Sequence, residues 1–165
     1  MKLEKVEGYF DCRKYKKDTL RQNREMLKDG ERINFTVAFP DEFLPEDLKD
    51  FAKKSEKTGI NYVNFKIFPN NCKAYLANNQ RIIFPKNSQL DGGKFLVNLS
   101  FNIKHGTGTE LNGCYVNAIQ FIKRTDEPFV AEEEGDVNIF NENDNPFFEK
   151  INNVNIDDES NDLPF

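Results

Sequence analysis

The stretch KFLVNLSFNIK, residues 94–104, carries the strongest structural pattern in the chain. Apolar residues recur at every second position of this stretch, namely Phe95, Val97, Leu99, Phe101 and Ile103. This period of two predicts a strand with one face in a core and the other toward solvent. The glycine-rich GTGTELNG follows as a turn, and CYVNAIQFIKR (114–124) then predicts a returning strand.

Further strands are predicted upstream of this pair. In RINFTVAFP (32–40) the residues Ile33, Phe35, Val37 and Phe39 alternate with polar or small ones up to Pro40. Alternation resumes in INYVNFKIF (60–68), and CKAYL with RIIF predicts a hairpin with Asn-rich turns.

Helical periodicity is confined to the first half of the chain. In LPEDLKDFAKKSEKTG the residues Leu44, Leu48, Phe51 and Ala52 fall on one helical face, and Pro45 suits a first turn. This pattern predicts a helix near residues 45–57. Residues 14–28 predict either a short charged helix or an ordered loop excursion.

Five or six strands, one helix and glycine-rich turns favour a small closed barrel, because no strand-helix-strand alternation recurs. We therefore expect a mainly β protein with an OB-fold-like five-stranded Greek-key barrel and one or two short helices.

Composition indicates a cytoplasmic protein. Its three cysteines, Cys12, Cys72 and Cys114, match neither a disulfide framework nor a CxxC metal site, so we expect buried thiols in a reducing compartment. No apolar stretch approaches the roughly 18 residues of a membrane span, and the first residues lack the apolar region of a secretory signal.

Charge is segregated along the chain. Residues 1–124 carry 22 Lys and Arg against 15 Asp and Glu, whereas residues 125–165 carry one Lys against 13 Asp and Glu. The resulting net charges are +7 and −12. We therefore expect a basic domain over 1–124 and a flexible acidic tail over 125–165 that ends in DLPF.

Two groups of residues in the basic domain are candidates for nucleic-acid binding. If Val63, Phe65 and Ile67 face the core, the neighbouring side chains face outward together, and the expected outward set is Tyr62, Lys66, Phe68, Lys73, Tyr75 and Arg81. Exposed rings among cations suit single-stranded nucleic acid, since bases stack on rings and cations neutralise phosphates. The alternative is that these rings lie under the helix or the N-terminal segment and the lysines form a solvated rim.

The second candidate group is the run Arg13, Lys14, Tyr15, Lys16 and Lys17, which offers four cations and a ring in succession. A basic run of this kind binds phosphates or forms a solvated edge.

The C-terminus carries a family resemblance. Its last residues, Asp162, Leu163, Pro164 and Phe165, stand behind the acidic Asp157–Glu159. This ending resembles the Asp-Ile-Pro-Phe tip of bacterial single-stranded DNA-binding proteins and their phage counterparts. The resemblance covers about ten residues, while the rest of the chain is similar in character only and looks more like a phage-encoded version. Two features depart from the family: the predicted helix precedes the Tyr62 strand, and tryptophan is absent.

The resemblance implies an OB-fold that binds single-stranded DNA without sequence preference and a tip that docks onto replication, recombination or repair proteins. Tyr62, Phe68 and Tyr75 would stack bases, and Lys66, Lys73, Arg81 and the Arg13–Lys17 run would hold phosphates.

Signals for catalysis, metals and cofactors are weak. The single histidine, His105, has no neighbouring Cys or His in sequence, and GTGT lacks the Lys of a phosphate loop. The acidic run Glu132–Glu134 falls in the predicted flexible tail, which is an unsuitable scaffold for catalytic carboxylates. We expect a non-enzymatic protein without a metal or cofactor. The alternatives are an acidic DNA mimic that blocks a host DNA-binding protein and an RNA-binding OB-fold protein.

Overall fold

The computed structural model describes residues 1–87, 89–106 and 112–126. Its strands are β1 (Lys2–Asp11), β2 (Ile33–Phe39), β3 (Lys53–Lys54), β4 (Asn61–Ile67), β5 (Lys73–Leu76), β6 (Arg81–Ile82), β7 (Gly93–Lys104) and β8 (Gly113–Arg124). Short 3-10 turns span Arg21–Asn23, Asp41–Phe43, Glu46–Phe51 and Pro69–Asn71. The predicted tail beyond residue 126 and its DLPF tip lie outside the described residues.

The sheet closes into a five-stranded barrel because β4 pairs with β2 along one edge and with the start of β8 along the other. Around the barrel the strands follow the order β1, β2, β4, β8, β7 and back to β1. The β4–β8 pairing is parallel, with Phe65 opposite Cys114 and Lys66 opposite Tyr115, and the other barrel pairings are antiparallel. This closed mainly β barrel confirms the predicted fold class.

Alternating side chains build the core from the barrel strands. In β2 and β4 the residues Ile33, Phe35, Val63 and Phe65 are fully buried, while their sequence neighbours are half-buried or exposed. Each strand therefore contributes one apolar face to the barrel interior and one polar face to its outside.

Phenylalanine rings fill one end of the barrel. The Phe10 ring lies 4.5 Å from Phe35, 5.4 Å from Phe95 and 5.7 Å from Phe121, measured between ring centroids. Gly8 makes room for this packing, because a Cβ at position 8 would lie 2.3 Å from the Phe35 ring. The chain's high Phe content is thus used for ring-to-ring packing, in which each pair adds about 0.5 to 1.5 kcal/mol beyond its buried area.

Strand β1 was not predicted from the sequence, and a bulge explains why. The positions that face the core are Leu3, Val6, Gly8 and Phe10, so their spacing changes from three to two within the strand. The register with β7 shifts between Leu3 and Val6, and Lys5 at the bulge has φ = 50°. A β-bulge adds a residue to one strand and breaks the period of two.

The helix predicted near residues 45–57 is wrong in type and length. A 3-10 turn covers Glu46–Phe51, and Lys53–Lys54 then pair with Tyr62 and Asn61 at the edge of β4. Because Lys53 and Lys54 pair with β4, their backbone cannot continue a helix. Leu48, on the predicted apolar face, is fully buried.

Residues 14–28 form the ordered loop excursion, with one 3-10 turn.

Cys12, Cys72 and Cys114 are buried and unpaired, as predicted. Among the described residues, no helix has the length and apolarity needed to cross a membrane.

Stability is expected to fall at alkaline pH because of these thiols. Burial raises the pKa of Cys12 and Cys72 from 9.0 to about 12, and that of Cys114 to about 11. The unfolded chain therefore loses thiol protons above pH 9 while the folded chain keeps them, which lowers the free energy of unfolding between pH 9 and about 12. Urea unfolding at pH 8 and pH 10 measures this loss. Between pH 8 and pH 10, the free energy of unfolding of a Cys12→Ala/Cys72→Ala variant should fall by less than that of the wild type. An equal fall in both proteins would contradict the assignment of this pH dependence to the buried thiols.

Candidate nucleic-acid interface

The outer face of β2 and β4 presents a ring, amides and a cation. Tyr62, Asn64 and Lys66 are half-exposed, whereas Val63, Phe65 and Ile67 between and beyond them are buried. The Thr36 hydroxyl donates a 2.5 Å hydrogen bond to the Asn64 amide oxygen and ties the two strands together on this face. The predicted outward orientation of Tyr62 and Lys66 is confirmed, and neither strand contains an acidic residue.

A cluster of two rings and two cations stands beside this face, and we call Lys66, Phe68, Lys104 and Tyr115 the Tyr115 cluster. The Phe68 and Tyr115 rings are nearly parallel, with 13° between their planes and 6.0 Å between their centroids. The Nζ atoms of Lys66 and Lys104 lie 5.3 Å and 4.9 Å from the Tyr115 ring centroid. Phe68 is 36% exposed, so one ring of the pair faces solvent as predicted.

Lys66 is held in position at its head and along its stem. Its Nζ donates a 2.9 Å hydrogen bond to the backbone carbonyl of Asn112. Gly113 allows this path, since a Cβ at position 113 would lie 3.0 Å from the Lys66 Cε and Nζ. The cation is therefore fixed beside Tyr115 at the junction of β4 and β8.

Tyr115 and Lys104 were missed by sequence reasoning. Tyr115 follows Cys114 and precedes Val116, which are both buried, and that alternation could have identified it as an outward ring. Its meeting with Lys66 depends on the parallel β4–β8 pairing, which joins residues about 50 positions apart. No local pattern predicts such a register.

The prediction that Tyr75 lies outward and accessible is wrong, because Tyr75 is only 2% exposed. Its strand, β5, is flanked by β8 and β6, with Gln120 and Arg81 as its pairing neighbours. Gln120 is also buried, and its amide donates hydrogen bonds to the Leu76 carbonyl and to Asn79. Ala74 and Leu76 on the opposite face are buried as well, so both faces of β5 are covered at this position.

Lys73 is exposed and Arg81 is half-exposed. Lys73 pairs with Ala118, three residues beyond the Lys66–Tyr115 pair along β8, or about 10 Å at the usual rise of a strand. Lys73 therefore lies beyond the Tyr115 cluster along β8 and is not part of it.

Residues 12–32 form an ordered projection between β1 and β2, which we call the arm. Arg13 donates to the Arg24 carbonyl at 2.9 Å and to Asp91 at 3.1 Å, and Lys14 lies 3.7 Å from Glu25. The buried Asn87 amide donates to the Lys28 carbonyl. Arg13 and Lys14, predicted as phosphate ligands, are thus engaged in holding the arm together.

The remaining residues of the basic run face solvent. Tyr15 is 75% exposed, and the guanidinium of Arg24 lies 5.0 Å from its ring centroid. Lys16 and Lys17 are exposed. The arm returns into β2 at Ile33, which pairs with the last residue of β4, and its Gly30 passes beside Asn70 in the turn after Phe68.

The outer face of β2 and β4 adjoins the arm on one side and contains Lys66 of the Tyr115 cluster. In OB-folds the outer face of the second and third barrel strands and the loops joining strands 1–2 and 4–5 bind oligonucleotides. Counted in chain order, the corresponding described parts of this five-stranded barrel are β2, β4 and the arm, together with Lys104 at the end of β7 and Gly113 at the start of β8. Exposed there are the Tyr15 and Phe68 rings and the Lys16 and Lys17 cations, together with the arm carboxylates of Asp18, Glu25 and Asp29. Rings of this kind can stack on bases, and cations can neutralise phosphates.

No group of three or more His, Cys, Asp and Glu side chains within residues 1–87, 89–106 and 112–126 is arranged to hold a metal ion. His105 is exposed and its ring lies 5.4 Å from Phe51. Comparison of the chain with protein-family models, with curated proteins and with solved structures found no match.

Proposed function

We propose that this chain is a non-enzymatic protein that binds single-stranded DNA independently of sequence and acts in DNA replication, recombination or repair. The observation that carries the proposal is the Tyr115 cluster, in which two near-parallel rings and two ammonium groups meet on the outer side of a closed barrel. Stacking of a base on an aromatic ring is worth about 1 to 3 kcal/mol and requires no particular base.

The bound strand is proposed to cross β4 between the arm and the Tyr115 cluster. Tyr62, Phe68 and Tyr115 would stack bases, and Lys66 and Lys104 would contact phosphates. Tyr15, Lys16 and Lys17 would extend the contact onto the arm. Lys73 and Arg81 are proposed to contact phosphates farther from the Tyr115 cluster.

The proposed partners include replication or recombination proteins that dock onto Asp162, Leu163, Pro164 and Phe165. This part of the proposal rests on the sequence of the tip, where the apolar Leu163 and Phe165 follow the acidic stretch Asp157–Glu159. Host bacterial cytoplasm is the proposed location, with a phage origin.

A DNA mimic is less well supported than a DNA-binding protein. A mimic should present carboxylates over its folded surface, but residues 1–124 carry a net charge of +7 and β2 and β4 contain no acid. RNA is the closer alternative, because rings and cations serve both nucleic acids.

Titration of the full-length protein with oligo-dT tests the proposal. The chain has five tyrosines and no tryptophan, so tyrosine fluorescence reports directly on stacking. We expect saturable quenching that weakens steeply between 50 and 200 mM salt, by roughly a factor of ten or more if several phosphates are contacted. Absence of quenching at low salt would contradict the proposal, and tighter binding of oligo-U would favour the RNA alternative.

Tyrosines 62 and 75 should respond differently to mutation. Tyr62→Leu is expected to weaken oligo-dT binding by about 1 kcal/mol or more, since it removes a half-exposed ring that is proposed to stack on a base. Tyr75→Leu should leave the affinity of the folded protein unchanged, because the Tyr75 ring is buried. Fluorescence anisotropy with labelled oligo-dT measures both variants. A larger loss of affinity for Tyr75→Leu than for Tyr62→Leu would contradict the proposed surface.

A further inference from the structure

Tyr15 and Arg24 stand opposite each other on the two limbs of the arm. Arg13 on the first limb and Met26 on the second pair in an antiparallel bridge. Two residues farther along each limb, this register places Tyr15 opposite Arg24, and opposite side chains in antiparallel pairing are direct neighbours. The guanidinium carbon of Arg24 lies 5.0 Å from the Tyr15 ring centroid, which is within the range of a cation–π contact.

Arg24 is held in place independently of the ring. Its Nε donates a 3.1 Å hydrogen bond to the Thr19 carbonyl, and its own carbonyl accepts a 2.9 Å hydrogen bond from the Arg13 guanidinium. The side chain and the backbone of Arg24 are therefore both tied to the arm. A guanidinium fixed in this way favours one orientation of the ring that it contacts.

Tyr15 keeps most of its surface open to solvent. Its side chain is 75% exposed, so the contact with Arg24 covers only one face of the ring and leaves the other free. The exposed cations Lys16 and Lys17 follow it directly in sequence. A ring that is oriented before binding loses less conformational freedom when a base stacks on it, so more of the stacking energy appears as affinity.

We propose that Tyr15 and Arg24 form a stacking platform on the arm, the Tyr15 platform, in which the open face of the Tyr15 ring takes one unpaired base and Arg24 is the positioning residue that holds the ring. This inference rests on the proposed function and adds to it a residue that acts through Tyr15. Stacking uses only the planar face of the base, so the platform accepts any base.

Two strands of equal length, oligo-dT and an abasic deoxyribose-phosphate strand, test the platform in the full-length protein, because the ratio of their affinities separates stacking from charge. Tyr15→Leu should lower this ratio about 5-fold or more, since it removes a stacking ring. Arg24→Gln should lower it about 2-fold or more in the wild type, and not at all when Tyr15→Leu is already present. Lys17→Gln is the matched control: it removes one exposed charge of the arm and should weaken binding to both strands equally.

Amide chemical shifts show whether the arm keeps its fold in Arg24→Gln. Its two limbs are joined by backbone hydrogen bonds from Lys14 to Glu25 and from Leu27 to Cys12, at 2.8 and 2.9 Å. These four residues should keep their wild-type shifts in the unbound variant. Large changes there would mean that Arg24 acts through the fold of the arm, and its positioning role would be overturned.

The binding outcomes separate the platform from the proposed function. If the wild type binds oligo-dT but Tyr15→Leu keeps the wild-type ratio, the platform is overturned and the proposed function stands. The role of Arg24 is overturned if Arg24→Gln lowers the ratio equally with and without Tyr15→Leu. If the wild type does not bind oligo-dT, the proposed function fails and the platform fails with it.

Discussion

Phe10→Ala is expected to lower the free energy of unfolding by about 3 to 5 kcal/mol, the usual cost of deleting a fully buried Phe side chain. Phe10 has no exposed surface, and its ring contacts those of Phe35, Phe95 and Phe121 from three other barrel strands. The alanine would leave a cavity where β1, β2, β7 and β8 meet. A loss of this size is a large fraction of the roughly 5 to 15 kcal/mol that stabilises a typical domain.

Urea unfolding followed by circular dichroism measures the effect. Phe43→Ala is the matched control, because Phe43 is 69% exposed and its replacement should cost about 0.5 kcal/mol or less. Phe10→Leu keeps most of the buried volume and should fall between the two. Similar stabilities for Phe10→Ala and Phe43→Ala would contradict the ring-packed barrel described here.

The double variant Lys66→Gln/Lys104→Gln should weaken binding to oligo-dT about 25-fold at 0.1 M salt. Each phosphate contact on a single strand contributes about 0.7 to the slope of log affinity against log salt, which corresponds to about 5-fold at 0.1 M. Both cations lie at the Tyr115 ring, where the strand is proposed to pass. The slope itself should therefore decrease by about 1.4.

Anisotropy titrations at several salt concentrations measure the affinity and the slope together. Lys2→Gln/Lys123→Gln is the matched control, since it removes the same charge from exposed lysines that pair with β7 residues Ser100 and Leu96. These positions lie away from β4, and screening over about 10 Å should limit their effect to roughly 3-fold or less. Equal losses for the two double variants would mean that net charge, and not a site on β4 and β8, determines binding.

Strands with an uninterrupted period of two could be predicted from sequence. Strands β2, β4 and β7 place their buried apolar residues at alternate positions, and a one-residue slip would turn every one of them to solvent. In β8 the alternation holds from Cys114 to Ala118, and the buried Ile119 then breaks it. β1 has the same function in the barrel but contains the bulge at Lys5, so its apolar positions do not alternate throughout. Local pattern fails where the backbone departs from regular pleating.

The errors at the candidate site arise from features that a strand's own sequence does not contain. Tyr75 was predicted outward from its alternation with Ala74 and Leu76, but all three side chains are buried, so both faces of β5 are covered. Tyr115 reaches Lys66 through the parallel register that closes the barrel. The period of two predicts which side of a strand a residue occupies, but the rest of the fold decides whether that side is open.

The same distinction applies to the basic run on the arm. The sequence predicts five adjacent side chains of suitable chemistry, from Arg13 to Lys17. Arg13 and Lys14 instead meet partners far along the chain or across the arm, such as Asp91 and Glu25. Exposed ion pairs of this kind contribute about 1 kcal/mol or less each, so their main effect is to orient the arm and present Tyr15.

The position of the bound strand is the most direct test of the proposed surface. Backbone amide chemical shifts of the full-length, isotopically labelled protein can be followed by NMR during titration with oligo-dT at low salt. The largest shift changes are expected along β4 from Tyr62 to Phe68 and at Tyr115, with small changes along β7 from Leu96 to Ser100. Large changes along β7 with β4 and Tyr115 unaffected would contradict the account.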